Sequence, residues 1–153
     1  MPRIEEQIHI EARPMDVFRL CHDMDRRSEW DERVGRAKVL TPKPVRRGTV
    51  VRMDARPPRG AVFSWEGEFS EFTFPRQSKI VVIDAAPSSH FVDGSETWSF
   101  RRADGGTDVS LLWEYKPRGL VGRLLDPLMR RGAIRRAISQ SLENLKETVE
   151  RAT

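Results

Sequence analysis

Few side chains in this sequence combine a reactive type with an interior setting, and Glu96 is the first of them. In residues 92–102, Gly94, Glu96, Trp98 and Phe100 share one face and Ser95, Thr97, Ser99 and Arg101 the other, as strand alternation requires. If Trp98 and Phe100 point inward, Glu96 does too. A carboxylate on an apolar face is unfavourable unless it is paired or protonated. Glu96 is therefore either a polar anchor or general acid/base with a raised pKa, or it sits at a rim or in an ion pair with an arginine. Tyr115 falls on the inner face of residues 108–116 and offers a hydroxyl. Glu96 and Tyr115 are the two catalytic candidates.

Other chemistries find less support. His9, His22 and His90 fall in a strand, an early helix and a turn, with no HExxH or related spacing, so no metal site is expected. The members of a Ser-His-Asp triad need not be adjacent in sequence, but the absence of a GxSxG elbow argues against a hydrolase. Gly105-Gly106 reads as a hairpin turn, and there is neither a P-loop nor GxGxxG, so no cofactor is called for. The single cysteine, Cys21, excludes an intramolecular disulfide and a Cys-rich metal site. Its place in the apolar stripe Val17–Cys21 marks it as packing rather than nucleophile.

The elements that must position these residues are mostly strands. Ile4, Ile8 and Ile10 alternate with polar residues, which makes a half-buried strand. Pro14 suits a helix start, with Val17, Phe18 and Cys21 behind it, and a second helical turn spans Asp25–Glu32. Residues 34–41, 48–56, 61–74, 78–85, 92–102 and 108–116 then read as six strands. Their separators are rich in Pro, Gly and Ser, such as Thr41-Pro42-Lys43-Pro44, Pro57-Pro58-Arg59-Gly60 and Asp104-Gly105-Gly106. Turns this short imply an antiparallel meander, because parallel strands need long crossovers. By the same alternation Phe63, Trp65, Gly67 and Phe69 face inward, leaving Glu66 and Glu68 outside. Val51, Met53 and Ala55 face inward too, as do Val109, Leu111, Trp113 and Tyr115.

The chain closes on a long helix, Arg118 to Ala152. About 30 helical residues span roughly 45 Å, enough to cross a small domain. Its apolar residues keep helical spacing, but the stripe of Leu120–Met129 and that of Ile134–Ala152 differ in direction by roughly 100°. A kink or break near Gly132 is predicted, with Leu124, Leu125, Leu128 and Met129 as a hinged flap at a cavity mouth. An unbroken helix would instead aim Arg131 at the cavity and at Glu96. With 153 residues, 38% hydrophobic and 33% charged, the expectation is one domain over 1–153. No apolar run approaches the ~18 residues of a transmembrane segment. The N-terminus lacks a signal-peptide h-region, which points to the cytoplasm. Net charge is +4, and residues 116–136 hold seven basic residues against Asp126 alone.

This order of elements resembles the START-related (SRPBCC) helix-grip superfamily, in particular its polyketide cyclase/dehydrase and lipid-transport branch. The matching stretches are "IHIEARPMDVFRLCHDMDRRSEW", with Ala12, Pro14, Val17, Asp23 and Trp30, then "GTVVRM", "SETWSFRRADGGTDVSLLWEY" and "LLDPLMRRGAIRRAISQSLENLKETVE". The resemblance implies an α+β fold: a seven-stranded curved antiparallel sheet wrapped around the long C-terminal helix, with two short helices between the first and second strands. It also implies a cavity between sheet and helix for a hydrophobic or aromatic small molecule, such as a lipid, polyketide or isoprenoid. Taken with the inward faces, Met53, Phe63, Trp65, Phe69, Glu96, Trp98, Phe100, Trp113, Tyr115, Leu124 and Leu128 are the expected ligand-binding residues. The same rings can instead fill the core and leave no void, so a space above roughly 300 Å³ is the discriminating observation.

Two further functions stay in view. One is a cofactor-independent polyketide cyclase/dehydratase using Glu96 as acid/base. The other is a ribosome-, RNA- or membrane-surface-associated factor acting through the basic helix. Nucleic acid is disfavoured, because no basic strand face carries interleaved aromatics. Peripheral membrane contact stays open, as does the choice between monomer and homodimer.

Overall fold

The computed structural model describes residues 1–57 and 62–152, without the side chains of Leu128 and Met129. The chain runs β1 (Arg3–Ile10), α1 (Pro14–Cys21), a 3-10 turn (Met24–Arg26), α2 (Arg27–Trp30), β2 (Val34–Val39), β3 (Val50–Ala55), β4 (Phe63–Thr73), β5 (Gln77–Ala85), β6 (Phe91–Ala103) and β7 (Gly106–Pro117). It ends on α3 (Gly119–Leu125), a π turn (Asp126–Arg130) and α4 (Arg131–Ala152). The strands form one antiparallel sheet in the order β1-β7-β6-β5-β4-β3-β2. Six strands thus meander as expected, and β1 closes the far edge against β7. The turn expected at Pro57–Gly60 lies, from Pro58 on, outside the described residues.

Alternation gives the correct inner face on each strand where it applies. Val51, Met53 and Ala55, then Phe63, Trp65 and Phe69, then Glu96, Trp98 and Phe100, then Val109, Leu111, Trp113 and Tyr115 are all buried. The sheet bends through irregularities at Glu66/Gly67 and Phe69/Glu71, since a bulge sharpens local twist. Gly67 has a steric reason to be glycine. A Cβ there would come within 2.4 Å of the Ile80 side chain and 2.9 Å of Trp65.

α4 covers the concave face. Ile134, Ile138, Leu142, Leu145 and Val149 are buried, one side of a helix at three- and four-residue spacing. With α1 they enclose the core against the sheet, giving the helix-grip fold.

The helix does depart from regular geometry, but before Gly132 and from a different local cause than expected. The helix passes through a π turn at Asp126–Arg130, with Pro127 inside it, a little before Gly132. Proline cannot donate the usual helical hydrogen bond, and a π turn adds a residue, which shifts the following face by roughly 100°. The expected flap residues do not cover the cavity either. Leu124 and Leu125 are exposed, and the side chains of Leu128 and Met129 lie outside the described residues. α3 has no sheet opposite it to bury the apolar stripe that its spacing suggests.

Candidate functional site

The interior holds a cluster of four charges built from three elements. Arg27 begins α2, Asp31 follows one helical turn later, Arg33 precedes β2, and Glu96 projects from the inner face of β6. Arg27 donates to Asp31 Oδ2 at 2.8 Å and to Glu96 Oε1 at 2.7 Å. Arg33 donates to Asp31 Oδ1 and Oδ2 at 3.1 and 2.9 Å and to Glu96 Oε1 at 3.0 Å. The indole of Trp98 adds a third bond to the same Glu96 oxygen at 2.8 Å. The Arg27 guanidinium also lies over Trp30 and Trp98, 4.9 and 5.7 Å from the ring centroids, a favourable cation–π placement. Ser141 of α4 donates to the Ala137 carbonyl and accepts from the Glu32 N–H at 2.9 Å, with Asp31 Oδ1 3.3 Å from its oxygen, which ties the covering helix to the cluster.

This arrangement corrects the acid/base expectation for Glu96. Burial alone would raise its carboxyl, but Arg27 and Arg33 outweigh burial and hold it below the ordinary carboxylate range. Asp31 is lowered in the same way: burial opposes, and Arg33 and Arg27 prevail. Glu96 is therefore a fixed carboxylate, inward as alternation requires and paired with arginine. It has no proton to give at neutral pH. Its bonds to Arg27, Arg33 and Trp98 all fall on Oε1, so Oε2 keeps its acceptor capacity toward the described side chains.

Beside the cluster lies a cavity of about 60 Å³, room for a few water molecules. Its walls are Phe63, Trp65, Phe91 and Trp113, with Ile134 and Ala137 from α4 as the roof. Arg27, Arg33 and Glu96 form one polar end, while Val34, Ala55, Arg56, Pro57 and His90 complete the lining. The volume falls short of the roughly 300 Å³ that separates a ready-made ligand cavity from a filled core, so at rest the aromatic rings fill most of the space and no ligand-sized void stands open here. Phe91 stands edge-on to Trp113 and Trp65 at 5.3 and 6.1 Å between centroids, and to Phe63 at 5.5 Å.

Besides the wall residue Phe91, sequence reasoning misses His90. It follows the turn after β5 and packs edge-on to Phe63, Phe91 and Tyr115. Its Nδ1 is buried without a hydrogen-bond partner among the described residues. Burial, helped by the charge of Arg130, lowers its pKa to about 4, so the ring is neutral near pH 7. In the sequence it stands among turn residues, where alternation gives no face. Arg27 and Arg33 escape the same reasoning, since arginine in a polar stretch normally signals solvent.

The remaining candidates divide in two. Phe63, Trp65, Glu96 and Trp113 line the cavity. Met53, Phe69, Trp98, Phe100 and Tyr115 are buried but lie in packed core away from it. The Tyr115 hydroxyl is already engaged, 2.7 Å from both carboxylate oxygens of buried Asp126. Burial and that carboxylate together raise its pKa, so it is no ready proton donor. Arg131 pairs with Asp126 at 3.3 Å and not with Glu96. Leu124 is on the surface.

His22 and Ser78 are hydrogen-bonded at 2.6 Å, but they do not make a triad. The other ring nitrogen faces the Phe18 carbonyl at 2.7 Å, and neither residue lines the cavity. Cys21 is buried and its thiol pKa is raised by burial, which fits packing. Among the described residues no group of three His, Cys, Asp or Glu side chains is placed to hold a metal. No helix among them is long and apolar enough to cross a membrane.

Comparison with curated proteins found no match. Among solved structures, a protein from Thermus thermophilus superposes with a TM-score of 0.83 at 23% identity, covering 99% of both chains. The Zhui aromatase/cyclase from a Streptomyces species gives 0.80 at 15% identity over 98% of this chain and 94% of that one. A START superfamily protein from Mycobacterium smegmatis gives 0.74 at 13% identity over 99% of each. At these identities the likeness establishes the fold. The sequence also matches the model of the family described as polyketide cyclase/dehydrase and lipid transport over residues 1–150. With the helix-grip fold and its aromatic-walled interior, this places the chain in that family, whose fold is of the hydrophobic-ligand-binding type.

Proposed function

We propose that the protein binds a small molecule with an aromatic or other flat apolar body in the space between the sheet and α4. The observation that carries this reading is the lining: four aromatic walls and the His90 ring, whose buried Nδ1 has no hydrogen-bond partner among the described residues. A buried polar atom without a partner is costly, and a ligand hydroxyl or amide can supply one. At the other end Arg33 and the open Oε2 of Glu96 offer a donor and an acceptor. The resting space is too small for such a ligand, so entry requires lining side chains to move aside. Affinity then comes from burial: about 200 Å² of apolar ligand surface corresponds to roughly 5 kcal/mol before the unfavourable terms.

The test is titration with a naphthalene-class dye, read by tryptophan fluorescence and by native mass spectrometry. A 1:1 complex is expected, weakened about tenfold or more in Trp113→Ala, where one aromatic wall is lost. Binding that leaves Trp113→Ala unaffected, or no complex at all, rejects the cavity as the site.

A second reading, a cofactor-independent cyclase/dehydratase, has one observation in its favour: the neutral His90 imidazole lining the cavity. The acid/base role passes from Glu96 to His90 in this reading. A poly-β-ketone mimic turned over by the native protein and bound but not turned over by His90→Gln supports it. Equal turnover by both proteins removes it.

A further inference from the structure

The largest run of exposed aliphatic side chains among the described residues is on α3. Leu120, Val121 and Leu124 are 76%, 69% and 68% exposed, and Leu125 is 45% exposed. No residue of this helix is buried. Clustered exposed aliphatics of this kind mark an interaction surface. Cations stand beside them. Lys116, Arg123 and Arg131 line one surface groove of about 620 Å³, together with Asp93 and the exposed N-terminal Met1. Asp126 also lines the groove, but it is buried and held by Tyr115 and Arg131, which leaves Lys116 and Arg123 as the exposed cations, with Asp93 the exposed acid beside them.

We propose that α3 docks this protein on an anionic lipid bilayer. Leu120, Val121 and Leu124 enter the acyl boundary, and Lys116 and Arg123 receive headgroup phosphates at the edge of the groove. The mixture of side chains selects this partner over others. Single-stranded RNA needs aromatic platforms between its cations, and α3 presents only aliphatic ones. A symmetric contact of two copies centred on α3 would bring Arg123 near its own counterpart, and like charges disfavour that contact. A bilayer interface accepts aliphatic tips and basic flanks together. The docking surface is separate from the cavity and does not depend on what the cavity binds.

The experiment is vesicle flotation of the full chain with phosphatidylcholine alone and with phosphatidylcholine containing a third phosphatidylglycerol. Binding to the anionic vesicles at least about tenfold above the neutral ones is expected, falling as salt is added. Leu120→Ser/Leu124→Ser and, separately, Lys116→Gln/Arg123→Gln should each reduce it about tenfold or more. Thermal melts of both variants, unchanged from the native protein, separate loss of docking from loss of fold. The proposal is overturned if the anionic vesicles are not bound at low salt, or if the leucine double variant floats as well as the native chain. It is equally overturned if that variant instead abolishes a dimer seen by sedimentation velocity while vesicles stay unbound, or if RNA is retained and vesicles are not.

Discussion

Two regions of this molecule reverse the usual assignment of side chains to inside and outside. Around Glu96 three charged groups are fully buried and a fourth, Arg33, is partly buried, and on α3 four aliphatic groups lie on the surface. The difference is in what each side chain faces. Every charge in the cluster meets an opposite charge at 2.7 to 3.1 Å, and the four sum to zero. On α3 the leucines face solvent, because the π turn shifts the helix face just before α4 reaches the sheet. Residue type sets a preference, and the facing partner decides the outcome.

The sharpest way to break the comparison is to remove one charge and leave the rest. Arg27→Met strips a guanidinium from two buried carboxylates. It should destabilise the protein by about 3–5 kcal/mol, the usual consequence of orphaning a buried charge, measured by denaturant unfolding. A loss below about 1 kcal/mol would mean that Arg33 alone satisfies both carboxylates and that the cluster is not what organises this end of the interior.

Acid should separate the cluster from its neutral neighbours. Burial lowers the pKa of His22 to about 4 in the folded state, below an unfolded value of about 6.5. The stability contributed by keeping this ring neutral is therefore fully present above pH 6.5 and is lost as pH falls towards 4. The gap corresponds to roughly 3 kcal/mol. His90 acts in the same direction. Glu96 and Asp31 have folded pKa values lowered by Arg27 and Arg33, so the stability they contribute is present above the ordinary carboxylate range and is lost only on its acid side. Half-buried His9, raised mainly by its hydrogen bond to Asp108, has the opposite sign: its contribution is present below about pH 6.5 and fades as pH rises past its folded pKa. Melting temperature measured from pH 7 to 4 should fall, and the fall should shrink in His22→Gln. An unchanged slope would show that His22 is not the group being protonated.

The fold is legible in the sequence because period-two alternation and turn residues are local signals, and the sheet uses both. Trp98 and Phe100 even carry Glu96 inward with them. The cluster is less legible, since the identity of a buried charge's partner is a tertiary fact: nothing near Arg27 or Arg33 in sequence announces Glu96. His90 is hidden because it stands at a turn, where neither periodicity applies. The change of direction in the C-terminal helix is visible as a phase shift, but the sequence points to Gly132 as its cause, whereas the π turn contains Pro127. The burial expected of Leu124 fails for a related reason. Helical spacing shows which residues share a face and not whether anything lies opposite.

That last point has the smallest expected effect and the clearest control. Leu124 and Leu142 are the same residue type in one continuous helical stretch, before and after the π turn. Leu142 is buried against the sheet, and Leu142→Ala should destabilise by about 2–5 kcal/mol through lost burial and the cavity left behind. Leu124→Ser removes a side chain that touches mainly solvent, so its effect on stability should stay within about 0.5 kcal/mol, measured under the same denaturant conditions. A loss at Leu124 approaching that at Leu142 would mean that α3 folds back onto the body in solution. The exposed leucines would then belong to the interior after all, and the reversal between the two regions would be lost.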